Sequence, residues 1–213
     1  MIKYILFDLD DTLYPTSAGL MTEISQRMSA YMVAQLGIPP ADVDRVRRDY
    51  WARYGTTLRG LYVERHVDAQ AFLDYVHDID IGKYLQTDAR LNAALAALPQ
   101  PKSIFTNASA GHARNVLRTL GVGQYFNEIF DINFIGYESK PAPSAYDRVA
   151  AALPVRAEEC VMIDDTVRNL APAKALGMQT VWLCGNDASR SAEGSEAADF
   201  VIKSIYDVVG VVK

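Results

Sequence analysis

The chain opens on four consecutive apolar residues, Tyr4-Ile5-Leu6-Phe7, and turns abruptly acidic at Asp8. A run that short and unbroken predicts a strand buried on both faces. Between residues 17 and 36 the rhythm changes: Leu20, Ile24, Met28, Tyr31, Met32 and Leu36 recur at helical spacing. Gly37-Ile38-Pro39-Pro40 stops that helix, and a second spans residues 41–54 with Val43, Val46, Tyr50 and Tyr54 along one face. Gly55 and Gly60 punctuate the next stretch, and residues 68–77 read as a further helix. No strand pattern interrupts residues 15–85, which therefore read as a helical insertion.

Strands and helices alternate from there on. The pattern predicts helices over 88–98, 111–120, 144–153 and 167–176, and strands over 103–106, 128–132, 160–163 and 180–183. Residues 185–198, rich in Gly, Ser, Asp and Ala, read as a surface loop before a last short strand at 200–202 and an amphipathic tail. Such alternation predicts an α/β fold, a parallel sheet with helices on both faces. At 213 residues the chain holds one domain with a large insertion, or two small ones.

Composition narrows the functional classes. Half the residues are hydrophobic and 22% are charged, as in a globular protein, and the formal net charge of −5 leaves no basic footprint for a nucleic-acid polymer. No apolar run approaches the roughly 20 residues of a membrane span. The first strand starts almost at the first residue, so no signal peptide is expected. Cys160 and Cys184 lie in or beside apolar runs with no CxxC pair. They read as free thiols, and the expected location is cytoplasmic.

The chemistry gathers at strand ends. Asp8, Asp10 and Asp11 follow the first strand, Thr106 and Asn107 the second, and Asp164 and Asp165 the strand at 160–163. Asp8 and Asp10, two residues apart, share a face if the strand continues. Helix capping by Asp11 and Thr12 is the competing explanation. In open α/β sheets, ligands bind outside the carboxyl ends of the strands, so one site can collect all of these residues. Clustered carboxylates repel one another, and a divalent cation together with Lys140 would offset the charge. Hard oxygen donors suit magnesium rather than zinc. His66, His77 and His112 have no metal-ligand spacing and read as surface or satisfied core residues.

With these residues in order, the chain resembles the haloacid dehalogenase superfamily along its whole length. The motifs are Asp8-Leu9-Asp10-Asp11-Thr12, the run ending in Thr106, the segment around Lys140, and Asp164-Asp165 with Asn169 shortly after. The resemblance implies a Rossmann-like core of residues 1–14 and 83–213, with residues 15–82 as an inserted helical cap of the family's first type. It implies that Asp8 is a nucleophile that becomes an aspartyl-phosphate, and that Asp10 is the general acid and then the base. Magnesium would be held by the carboxylates of Asp8 and Asp165 and the main-chain carbonyl of Asp10, with Asp164 acting through a water. Thr106 and Lys140 would hold phosphoryl oxygens, with Asn107 beside them. An acid at Asp10 favours a phosphatase or a phosphomutase over a dehalogenase.

Finer resemblance points to the pyrimidine 5′-nucleotidase branch, through Asp10-Asp11-Thr12-Leu13-Tyr14-Pro15, Tyr54-Gly55-Thr56-Thr57-Leu58-Arg59-Gly60-Leu61, Phe105-Thr106-Asn107-Ala108 and Phe130-Asp131-Ile132-Asn133-Phe134. The expected ligand is then a small phosphorylated metabolite such as a pyrimidine nucleoside 5′-monophosphate. Tyr54 and Tyr14 are candidates for stacking on its base, and Arg59 for contacting it. Tyr50, Trp51 and Tyr54 also read as cap core, and Arg45, Arg47 and Arg48 as a solvated helix face. A sugar-phosphate or broad-specificity phosphatase, or a non-catalytic binding protein on the same fold, are the alternatives.

Overall fold

The computed structural model describes residues 1–185 and 195–212. Strand β1 (Tyr4–Phe7) leads through a 3-10 turn at Thr16–Ala18 into α1 (Leu20–Ala34), α2 (Pro40–Tyr54), α3 (Thr57–Arg65) and α4 (Ala69–His77). Then follow α5 (Ala89–Ala96), β2 (Lys102–Phe105), α6 (Ala110–Leu120), β3 (Phe126–Phe130), α7 (Pro143–Ala152) and β4 (Cys160–Asp164). The chain continues through α8 (Leu170–Ala175), β5 (Gln179–Leu183), β6 (Phe200–Ile202) and α9 (Val208–Val211). Most of the surface loop expected at 185–198 lies outside the described residues. None of the described helices is long and apolar enough to cross a membrane.

The strands form one parallel sheet in the order β3-β2-β1-β4-β5-β6. Alternate side chains explain why short apolar runs suffice. Tyr4 and Leu6 of β1 and Cys160 and Met162 of β4 face one core, whereas Ile5, Phe7, Val161 and Ile163 face the other. The first core continues into the helical insertion through Met32, Tyr50, Leu61 and Phe72. β1 lies at the centre, and the chain order reverses between β1 and β4. That reversal opens a crevice at the carboxyl ends of these two strands.

Helix α3 was not expected, because Gly55 and Gly60 read as punctuation. Thr56 caps it, its hydroxyl accepting from the Arg59 N–H at 3.1 Å. Gly60 sits inside the helix because α3 presses on α2: an added Cβ would lie 2.2 Å from Tyr50 Cγ. The helix expected at 167–176 is divided into a 3-10 turn at Val167–Asn169 and the shorter α8.

Candidate active site

Register builds the centre of the site. Phe7 pairs with Ile163, and the Asp8 N–H donates to the Ile163 carbonyl at 2.9 Å, so Asp8 and Asp164 leave adjacent strands side by side. Asp8, Asp164 and Asp165 each offer an oxygen within 4.8 Å of the others. Lys140, 1% exposed, reaches in from the loop before α7 and donates to Asp8 Oδ1 at 2.8 Å and Asp164 Oδ2 at 2.7 Å. Burial alone would lower the Lys140 pKa, but the Asp164 and Asp8 carboxylates raise it above its ordinary value, so it remains an ammonium. Burial, with the Asp164 and Asp165 charges, pushes the Asp8 carboxyl well above the usual range against the pull of Lys140. A divalent cation on this hard-oxygen set would restore the carboxylate, so the residues fit such an ion.

Each neighbour has a distinct task. Asp164, fully buried, also accepts from the Asn169 side chain and from the Thr166 N–H, at 3.0 and 2.9 Å. Thr12 caps no helix. Its hydroxyl donates to Asp8 Oδ2 at 3.1 Å and accepts from the Asp165 N–H at 3.2 Å, tying the first and fourth motifs together. Asn107 accepts from the Lys140 N–H at 2.8 Å and donates to its carbonyl at 3.2 Å, which fixes the loop that carries the ammonium. Thr106 is buried beside them and accepts from the Ala108 N–H at 3.0 Å.

Asp10 has its own network. Oδ1 accepts from the Tyr14 hydroxyl at 2.5 Å and lies 2.8 Å from His112 Nε2. His77, at the end of α4, stacks on His112 with ring centroids 4.3 Å apart. Burial works to raise the Asp10 pKa, but His112 and Tyr14 outweigh it and the net shift is downward. His112 lacks metal-ligand spacing, so the sequence alone does not single it out. A usable signal was its place three residues beyond Ser109, which caps α6 and so faces the strand ends.

Asp8, Asp10, Thr106, Asn107, Lys140 and Asp165 line one cavity of about 290 Å³, together with Thr166, Arg168 and Asn169 from the same side and residues of the insertion. Asp164 stands behind it. The residues expected to contact the leaving group lie off this cavity. Arg59 is not among the lining residues; its guanidinium pairs with Glu138 at 2.5 Å and lies over the Tyr62 ring. Tyr54 is also absent from the lining, its hydroxyl donating to Glu64. Tyr14 is 3% exposed and committed to Asp10, so it offers no stacking face. Arg47, expected on a solvated face, instead turns inward and lines the cavity with Trp51, one turn further along α2. Arg168 bridges from the core, donating to the carbonyls of Trp51 and Gly55 and stacking on the Trp51 ring at 3.3 Å.

Known proteins are similar to this chain in sequence and in fold. The chain is 26% identical to a glyceraldehyde 3-phosphate phosphatase of Methanocaldococcus jannaschii, over 100% of this chain and 98% of that protein. It is 27% identical to a phosphoglycolate phosphatase of Pectobacterium atrosepticum, over 99% and 92%. The crystal structure of a HAD phosphatase from Thermococcus onnurineus has the same fold, with a TM-score of 0.66 at 20% identity over 99% of this chain and 97% of that one. A model of the haloacid dehalogenase-like hydrolase family matches residues 2–177, and the chain belongs to that family.

Proposed function

We propose that this protein is a magnesium-dependent phosphomonoester hydrolase. The observation that carries the reading is the pairing of Asp8 with the buried Lys140 ammonium, while Asp10 sits apart on Tyr14 and His112. Two carboxylates two residues apart thus have different partners, as a nucleophile and a general acid require.

Asp8 attacks phosphorus and forms an aspartyl-phosphate as the P–O bond to the leaving group breaks. The proton for the departing oxygen passes through Asp10 from the His112 ring 2.8 Å away, and Asp10 then takes a proton from the water that cleaves the acyl phosphate. The Thr106 hydroxyl and the Lys140 ammonium hold the phosphoryl oxygens in line, and Asn107 positions Lys140. Asp8 and Asp165, with the Asp10 main-chain carbonyl, would hold magnesium; Asp164 already accepts from Lys140, Asn169 and Thr166 and serves from behind. When bound, the ion supplies charge neutralisation to the acid cluster and the phosphoryl group.

Residues 15–82 form the cap in this reading, a first-type helical insertion whose crossings lie at Pro15 and near Gly82. The leading substrates are pyrimidine nucleoside 5′-monophosphates, supported by the four sequence tracts described above. The names of the phosphatase relatives favour a second reading, small sugar or acid phosphates. Free thiols at Cys160 and Cys184 support a reducing cytoplasm.

Phosphate release from UMP, CMP, purine monophosphates and several sugar phosphates, with magnesium and with chelator, tests both levels. Preference for UMP and CMP supports the nucleotidase reading, and a sugar-favouring or flat profile removes it while keeping the hydrolase. Full activity in chelator removes the metal.

A further inference from the structure

β4 ends at Asp164, so Asp165 meets the cavity from the first position beyond the sheet. Its peptide is nonetheless gripped on both sides. The Asp165 N–H donates to the Thr12 hydroxyl at 3.2 Å, and its carbonyl accepts from the Trp182 Nε1–H at 3.0 Å. Thr12 itself donates to Asp8 Oδ2, so that grip comes from inside the acid cluster. The Trp182 grip comes from outside it.

Register explains how the indole arrives there. β5 pairs with β4 so that Trp182 lies beside Asp164. Trp182 belongs to the core of Tyr4, Leu6 and Met162, whereas its neighbour Val181 faces the opposite core. At 6% exposure the indole N–H needs an acceptor within the protein. The carbonyl it meets belongs to a residue whose carboxylate lies within 4.8 Å of oxygens on Asp8 and Asp164. Groups that orient a ligating side chain raise metal affinity, because the ion then has less ordering to impose.

We propose that Trp182 is a positioning residue for the cation site: its indole N–H fixes the Asp165 peptide, so that the carboxylate is presented beside Asp8 before an ion arrives. This rests on the magnesium-dependent reading above. Trp182 is not among the residues lining the cavity. It therefore acts on the affinity for magnesium and not on the bond-breaking step.

The test is calorimetric titration of magnesium into the substrate-free unmodified protein, Trp182→Phe and Val181→Ala. Trp182→Phe keeps an aromatic ring and removes the N–H, whereas Val181→Ala weakens the same strand through the opposite core. Trp182→Phe is expected to weaken magnesium binding about tenfold or more, while Val181→Ala binds as the unmodified protein does. In phosphate release from phenyl phosphate, the magnesium concentration for half-maximal rate should rise by the same factor in Trp182→Phe. Its kcat at saturating magnesium should be unaltered. If Trp182→Phe does not fold, benzothienylalanine in place of Trp182 exchanges only the indole N–H for sulfur and takes over the titration. Unchanged affinity in the Trp182 variant, or an equal loss in Val181→Ala, overturns the positioning role and leaves the hydrolase standing. An unmodified protein that binds no magnesium overturns the metal reading and this proposal together.

Discussion

A methyl group on Gly55 would lie 2.5 Å from the carbonyl oxygen of Lys140 and 3.0 Å from Pro141 Cδ. Gly55 also has φ +87°, a backbone conformation that L side chains rarely adopt. The end of α2 therefore rests directly on the loop that supplies the ammonium. Gly55→Ala is expected to cost about 1–3 kcal/mol in urea unfolding, from strain and overpacking together. Because the clash falls on the Lys140 backbone, kcat should fall as well, where an ordinary surface glycine replacement would leave it unaltered.

Asp8→Asn is expected to abolish hydrolysis while cooperative unfolding is retained. The amide is uncharged, and Lys140 keeps its contact with Asp164 at 2.7 Å. Acid-quenched protein incubated with a labelled phosphomonoester should carry covalent phosphate only when Asp8 is intact. Appreciable turnover by the variant removes Asp8 from the nucleophile role.

Tyr14 and His112 both act on Asp10 Oδ1. Tyr14→Phe and His112→Gln should each lower kcat about tenfold or more, with little change in KM. Their effects should combine non-additively, because they share one oxygen. A double-mutant cycle on kcat measures this coupling; full additivity argues against a shared role.

His77 supplies a pH signature. Burial, reinforced by His112, pushes its pKa down to about 3, against 6.5 in an unstructured chain. Between those values the unfolded chain binds a proton that the folded protein does not. Stability attributable to His77 is thus complete above pH 6.5 and declines as pH falls toward 3. Urea unfolding at pH 7.5 and pH 5 should show a smaller acid loss in His77→Phe than in the unmodified protein.

Much of this was legible along the chain. The bounds of β1 and β6 follow directly from their apolar runs, and the parallel sheet follows from the alternation of elements. Residues placed at strand ends were readable because topology forces them into one crevice. The cap was harder. A helical face carries two classes of arginine in one period: Arg45 meets Asp42 on the outside, whereas Arg47 turns to Ser25 and Ser29 of a neighbouring helix. Only the packing of α1 against α2 separates them. Gly60 looked like a break because a sequence shows the missing side chain and not the Tyr50 ring that occupies its space.

The order of the sheet has a consequence for how the protein acquires activity. The strand bearing Asp8 is made first yet lies at the centre, flanked by partners that begin at residues 102 and 160. Until β4 joins, Asp8 has neither Asp164 nor the fourth-motif loop beside it. The helices of the insertion pack locally and can form earlier. On refolding, recovery of helical signal is therefore expected to precede recovery of hydrolysis, and enzymatic competence marks the completion of the sheet.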